Sequence, residues 1–505
     1  MTTERALGGY NPELSQSDNY LRSQLHTAII HFYQQPLTEG STAHYHTPEQ
    51  IDREEERIWE VIYRNNRITE LRKDPRFLSA QEREIRLRGK AKVGKTKCLD
   101  GRLPDVPPGD AISTLEIPAG VIDTTEKIDH SIRPTSPFLC VSLKDDAENG
   151  IELLELAVAH YDSTNPKHGC AANSIMVANI KAKNSEVVRG MLGYNEYAQI
   201  ESIDPTRLED ANLTIHHFVT KPAITSFFND IRQKNGYEPL SRIVIPVLFD
   251  TATMGLVLRE EDGEFKTSDQ VIDHSEDIAK ETGLDFGLYA ENFTNFEYLL
   301  DFYEAVVSIE EVLLDPEAKI GGDSNTFYED CEEFIDAHYS DLTEDQKRGL
   351  MFALAQSAAV QYATGTAKIP EGGPNHPYSE HEELYMSLSH QSAVFGGKDI
   401  KQGFCSSAAS PATGIEQIKT KWSVMDKNGV DTDKPRILFL SSTAHNPENR
   451  SVLHQDIGHN IALSSSVFAD SELRDLIINN RLVLVHTLLS KDGAVIDILD
   501  HSSLH

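Results

Sequence analysis

Cysteine is scarce in this chain. Five thiols in 505 residues, Cys98, Cys140, Cys170, Cys331 and Cys405, are too few and too scattered for a disulfide framework, so a reducing compartment is expected. Long apolar runs are missing too. No stretch of about 18 uncharged apolar residues occurs, and Met1–Ser15 has no apolar core of signal-peptide length, which argues against a membrane span and for a cytoplasmic protein. Positive charge is the third shortage: 47 Lys and Arg face 80 Asp and Glu, and the net charge of −33 repels phosphate backbones and anionic membranes. Nucleic acid is therefore not expected as a partner. Glycine and proline are modest at 30 and 22, and with 39% hydrophobic residues the composition is that of a globular protein without large disordered tracts.

What is present is a change of pattern along the chain. Length alone gives a prior of about three domains. Residues 1–88 read as a helical region, with an irregular, polar lead-in to about residue 45. Thr47-Pro48-Glu49-Gln50 then combines a capping box with proline at the first helical position, and Ile51, Ile58, Val61 and Ile62 mark one apolar face. Ser79 with Glu82 reads as a second box, opening a short basic helix. From 89 to 300 strands and helices alternate. The run from Ile151 to His160 reads as a strand buried on both faces, and Ile243–Phe249 leads through Asp250-Thr251-Ala252-Thr253 into Gly255–Leu258 as a strand-turn-strand unit. Pro246 points to an edge or an irregularity there.

Residues 301–505 begin with helices, one of them opened by the box at Thr343 and Gln346, and return to strands at Arg436–Leu440, Arg481–Val485 and Ala494–Leu499. This last unit resembles the one at 242–258. Leu438–Pro447 lies over Ala157–Pro166 when the two Asn-Pro pairs are matched, which reads as a diverged internal repeat. In that overlay Ser441 replaces His160 and Ser451 replaces Cys170, so the second copy lacks the ligands of the first. The expected architecture is α/β: a helical N-terminal region, a catalytic domain on a mostly parallel sheet, and a diverged C-terminal copy without a metal.

The chemistry lies in Cys98-Leu99-Asp100-Gly101-Arg102, in His160 at the end of its strand, and in Cys170 ten residues on. Two thiolates and one imidazole make three soft donors. Zinc is usually four-coordinate, and three protein ligands leave a position open for water, which separates catalytic from structural sites. Taken singly, Cys98 and Cys170 read as small core residues and His160 as a satisfied buried histidine. The combination, with an acid and an arginine two and four residues after the first cysteine, reads as a metal centre. His168 competes with His160 as a ligand. His160 is preferred because it ends a buried strand, which leaves His168 as a loop residue whose pKa class suits proton transfer.

Gly89-Lys90-Ala91-Lys92-Val93-Gly94-Lys95-Thr96 also matches the spacing of a phosphate-binding loop. Such a loop needs a buried strand before it and a helix after it. Charged Arg83–Arg88 precedes it here and a proline-rich stretch follows, so nucleotide binding is not expected.

Cys-x-Asp-Gly-Arg, a strand ending in His160, and then Cys170-Ala171-Ala172 resemble the zinc site of β-class carbonic anhydrases. Two departures from the ordinary pattern, Gly101 in place of serine and a ten-residue His-to-Cys spacing, resemble the divergent carboxysome shell and zeta (cadmium-using) branches. The carboxysome shell branch is the closer in architecture, with a helical N-terminal domain, a catalytic domain and a decayed copy. The resemblance implies reversible hydration of carbon dioxide to bicarbonate and a proton, by hydroxide generated at zinc (or cadmium) held by Cys98, His160 and Cys170. It implies that Asp100 orients the hydroxide and that Arg102 keeps Asp100 ionised. A homo-oligomer, and residence in a carboxysome with shell or Rubisco association, follow from the resemblance alone. Two alternatives share the site: hydrolysis of carbon disulfide or carbonyl sulfide, and a non-catalytic metal-bound scaffold.

Overall fold

Leu153–His160 is buried throughout because β5 (Leu153–Tyr161) runs between two other strands and is covered on both faces. The continuous apolar run therefore forms a central strand, as its sequence predicts. The computed structural model describes residues 14–34, 47–97, 112–116, 127–128, 131–132, 137–161, 163, 221–250, 253, 255–260, 263–267, 296–317, 319–320, 323–324, 326–364, 415, 419, 436–443, 461–462, 464–490 and 494–500. The protein is mixed α/β and divides into two compact units, Met1–Glu70 with His390–His505, and Leu71–Ser389.

The unit Leu71–Ser389 is built on a six-stranded sheet ordered β2-β1-β5-β6-β7-β8, where β1 is Lys92–Lys97, β2 Ile112–Glu116, β6 Val244–Asp250, β7 Gly255–Glu260 and β8 Gly263–Lys266. β2, β1, β5 and β6 are mutually parallel, while β7 and β8 turn back antiparallel. The sheet is thus mixed, which corrects the expectation of a mostly parallel one. The connections after β6 and β7 are too short for a crossover, and a short connection between neighbouring strands can only reverse the chain. Pro246 pairs with Ala157 inside the sheet, but β7 begins to pair only at Val247. Its missing N–H therefore falls where the ladder toward β7 has not started.

Alternation along β5 decides which helix covers which side chain. Leu153 and Ala157 share a core with Leu143 and Ala147 of α4 (Pro137–Glu148) and with Ile224 and Phe228 of α5 (Lys221–Lys234). The opposite face carries Leu154, Leu156, Val158 and His160. Val93 of β1 is level with Leu154, and a Cβ on Gly349 would lie 3.1 Å from the Val93 side chain, so α8 (Glu344–Thr364) covers that face. Thr343 opens α8 with the reciprocal box its sequence predicts: the Thr343 N–H donates to Gln346 Oε1 and the Gln346 N–H to Thr343 Oγ1, each at 3.1 Å. Gln346 Nε2 then reaches the carbonyls of Leu153 and Arg242, at 2.7 and 2.8 Å, and ties the helix start to the sheet. Beyond it, α6 (Phe296–Leu313) packs on α8 and on α3 (Pro75–Arg88), with Phe77 stacked on Tyr303; α7 (Thr326–His338) completes the layer.

α3 starts at Pro75 with Asp74 as its cap, the Asp74 side chain accepting from the Arg76 N–H. Ser79 and Glu82 are inside the helix and do not open it. The Asp-Pro pair satisfies a free N–H and supplies the one residue that lacks one, which is the stronger start signal. Downstream, the phosphate-loop lookalike forms the end of α3, with Gly89 at φ +73°, and then strand β1. This is a helix running into a strand, the reverse of what phosphate binding requires.

On the α4 face, Gly94 is level with Glu155, and a Cβ there would sit 1.8 Å from Glu155 Oε2. Thr96 Oγ1 donates to Glu155 Oε1 at 2.5 Å, and beside them Lys92 Nζ contacts both Asp146 oxygens at 2.8 Å. Gly94→Ala is expected to cost about 1–3 kcal/mol, the usual range for overfilling a packed interior. Urea denaturation measures it, and the cost should largely vanish when Glu155 is also alanine; an unchanged midpoint in the single variant would show that the carboxylate swings aside.

The other unit holds a three-stranded sheet ordered β11-β12-β13, made of Arg436–Thr443, Leu482–Leu489 and Val495–Leu499. Its core joins Val483, Leu484 and Val485 to Leu21, Leu25, Ile29 and Phe32 of α1 (Gln16–Gln34) and to Ile58, Trp59 and Ile62 of α2 (Pro48–Leu71). Residues 16–34 are thus helical, where an irregular lead-in is expected from sequence. Leu21, Leu25, Ala28, Ile29 and Phe32 repeat at helical spacing, and the stripe is buried against the sheet. α2 begins with the expected box, the Thr47 N–H donating to Gln50 Oε1 at 2.9 Å and the Gln50 N–H to Thr47 Oγ1 at 3.3 Å. Asn66 then clamps the edge strand, donating to the Val495 carbonyl and accepting from the Val495 N–H. α1 and α2, which precede the first sheet in the chain, therefore cover the second, whereas α6–α8, which follow it, pack in the unit of the first. Compactness for this reason cuts the chain at 70/71 and 389/390, whereas sequence patterning marks 1–88, 89–300 and 301–505.

Candidate metal centre

Strand order defines a crevice in the larger sheet. The chain passes from β1 to β2 on one side and later returns to β5 on the other, so the two parallel neighbours β1 and β5 flank the point where the order reverses. In open α/β sheets, ligands gather outside the carboxyl ends of strands at such a point. His160 is the penultimate residue of β5 and is fully buried, on the face covered by α8. β1 ends at Lys97, one residue past the Thr96–Ala157 pair that closes its ladder with β5 three residues before His160, and Cys98 is the next residue in the chain.

Of the residues that sequence nominates, His160 is described; Cys98, Asp100, Arg102 and Cys170, and the competing ligand His168, lie outside the described residues. Among the described residues no group of three or more His, Cys, Asp and Glu is placed to hold a metal. A buried imidazole at the carboxyl end of a rigid central strand is a fixed donor, and with two thiolates it makes a set suited to zinc or cadmium.

Sequence reading passed over two buried acids in this sheet. Asp250 ends β6 directly beside Tyr161, is 5% exposed, and accepts the Ser163 N–H at 3.0 Å and the Thr253 hydroxyl at 3.2 Å. Its signal in the sequence is an acid that closes an otherwise apolar strand and opens the Asp250-Thr251-Ala252-Thr253 turn. Glu155 interrupts the apolar run of β5 and lies on the face opposite His160. Burial pushes its carboxyl up to about 7, against the downward pull of the Thr96 hydrogen bond and the Lys92 charge. A separate cavity of about 500 Å³, lined by Leu87, Leu314, Tyr328, Glu332, Lys347 and Met351 among others, includes neither His160 nor Asp250. No helix among the described residues is long and apolar enough to cross a membrane. Family models offer no match to this chain, and neither do the curated proteins.

Proposed function

We propose that the chain is a zinc-dependent carbonic anhydrase of the β-class type that hydrates carbon dioxide reversibly to bicarbonate and a proton. One observation carries the reading: β1, ending one residue before Cys98, lies parallel and adjacent to β5, which bears His160 at its carboxyl end. Lys97, the residue before Cys98 in the chain, and His160 thereby lie at the ends of neighbouring strands beside a switch point. Cys98, His160 and Cys170 would hold the ion. When bound, zinc supplies an acidified water and hence hydroxide near neutral pH.

The chain's own groups do the rest. An ionised Asp100 carboxylate can only accept hydrogen bonds, so it would orient a protic group at the ion by accepting its proton. Arg102 would keep Asp100 ionised and away from the ion through a charge-assisted pair.

The C-terminal sheet supports the duplication that belongs to this reading. β5, α5, β6 and β7 recur in order as β11, α9 (Ser471–Ile478), β12 and β13, with the first two strands parallel and the third antiparallel in each. Under the sequence overlay, Glu155 corresponds to Arg436 and His160 to Ser441; Glu155 pairs with Val244 and Arg436 with Leu482, His160 with Phe249 and Ser441 with Thr487. Each of the two ladders runs without a register shift over these residues.

The test is a carbon dioxide hydration assay with metal analysis on the same sample. Zinc near one per chain with hydration above background is expected, and zinc without hydration would favour a scaffold. Arg102→Ala is expected to lower hydration on the order of a hundred-fold, as loss of a preorganised electrostatic group does, while zinc stays bound. Unaltered hydration in that variant would remove Asp100 and Arg102 from the mechanism.

A further inference from the structure

Asp250 ends β6 on the side of β5 away from β1, and its place in the ladder puts it on the sheet face opposite His160. It is level with Tyr161, the residue after His160, and its two carboxylate oxygens point to different segments. Oδ1 accepts the backbone N–H of Ser163, three residues past His160, and Oδ2 accepts the hydroxyl of Thr253 in the turn between β6 and β7. A buried carboxylate that accepts from both holds the exit of β5 against the β6–β7 turn. Among the described residues the ladder between β5 and β6 ends at the Tyr161–Asp250 pair, so these two bonds carry the contact between the strands one step further.

We propose that Asp250 is a positioning residue for the metal centre: by holding the Ser163 N–H and the Thr253 hydroxyl it fixes the backbone that leaves His160 toward Cys170. It touches neither substrate nor reacting atoms. The inference rests on the carbonic anhydrase reading, since it needs His160 and Cys170 to share an ion. Groups that orient a ligand without binding the metal typically change affinity 10–100-fold when lost.

The experiment uses the full chain as wild type and as Asp250→Asn, Asp250→Ala and Thr253→Val. Zinc affinity is measured by competition with a chromophoric chelator, and the ligand-field spectrum is recorded after cobalt substitution. Asparagine preserves both contacts, with Oδ1 accepting from Ser163 and Nδ2 donating to the threonine oxygen. Near wild-type affinity and spectrum are expected for Asp250→Asn, a 10–100-fold affinity loss and a shifted cobalt spectrum for Asp250→Ala, and an intermediate loss for Thr253→Val. Wild-type affinity and spectrum in Asp250→Ala would overturn the proposal, as would equal losses in the Asn and Ala variants. If Asp250→Ala does not fold, Thr253→Val decides alone: unchanged affinity overturns the proposal, and a partial loss upholds it. A wild-type chain that binds neither zinc nor cobalt would instead sink the carbonic anhydrase reading itself.

Discussion

Replacing His160 with alanine is expected to release zinc and to reduce carbon dioxide hydration by more than about a hundred-fold. Changes in groups that merely orient a ligand already reach that size, and the proposed role of His160 is that of a ligand itself. Two thiolates alone leave the ion with half its usual protein and water set, so occupancy should fall before any effect on the chemical step is seen. The variant also removes a fully buried ring from a central strand, and large-to-small changes at such positions cost about 2–5 kcal/mol. Stability and metal binding must therefore be read separately. Circular dichroism and a urea titration report the first; zinc content after gel filtration, on material shown to be folded, reports the second. Cys98→Ser should reproduce the metal loss with less damage to packing, since serine is nearly isosteric. A folded His160→Ala protein that keeps one zinc per chain would remove His160 from the ligand set and reopen the choice with His168.

Legibility in the sequence followed burial. β5, β6 and β7 are readable because runs such as Leu153–His160 and Val244–Phe249 are buried on both faces, which makes them apolar apart from Glu155 and the half-buried Pro246. The boxes at Thr47 and Thr343 were readable because capping is local chemistry within four residues. α1 was not, although its apolar stripe is regular, because what makes it a helix is a sheet more than 400 residues away in the chain. The sheet's mixed character needed the lengths of two turns to be weighed against the strands' parallel-like composition. At the site, residue types gave the donors, but only strand order sets β1 beside β5, and nothing near Asp250 in sequence shows that its oxygens reach Ser163. Non-local pairing is what a single sequence hides best.

Glu155 carries the other large effect, this time on stability. Its folded carboxyl titrates at about 7, against 4.5 for the free group, because burial disfavours the charged form more than Thr96 and Lys92 favour it, and Asp146 adds its own repulsion. A folded pKa above the unfolded value means that the folded state holds the proton more tightly. Below pH 4.5 both states are protonated and Glu155 adds nothing unfavourable. Between pH 4.5 and 7 the unfolded chain ionises first, so stability falls as pH rises, and above 7 the loss is complete at about 3 kcal/mol. Glu155→Gln removes this titration. The predicted observable is the difference between variant and wild-type unfolding free energies, which should be flat below pH 4.5, grow by about 3 kcal/mol in favour of glutamine through pH 7, and level off above it. Any offset from exchanging the protonated acid's OH for NH₂ is the same at all pH values and does not affect the slope. Lys92→Met should extend the wild-type loss to higher pH and enlarge its total, since removing that cation raises the carboxyl further. Parallel stability curves for wild type and Glu155→Gln from pH 4 to 9 would show that the carboxylate reaches water in solution. In that event the close approach of Gly94 to Glu155 would hold for only part of the population.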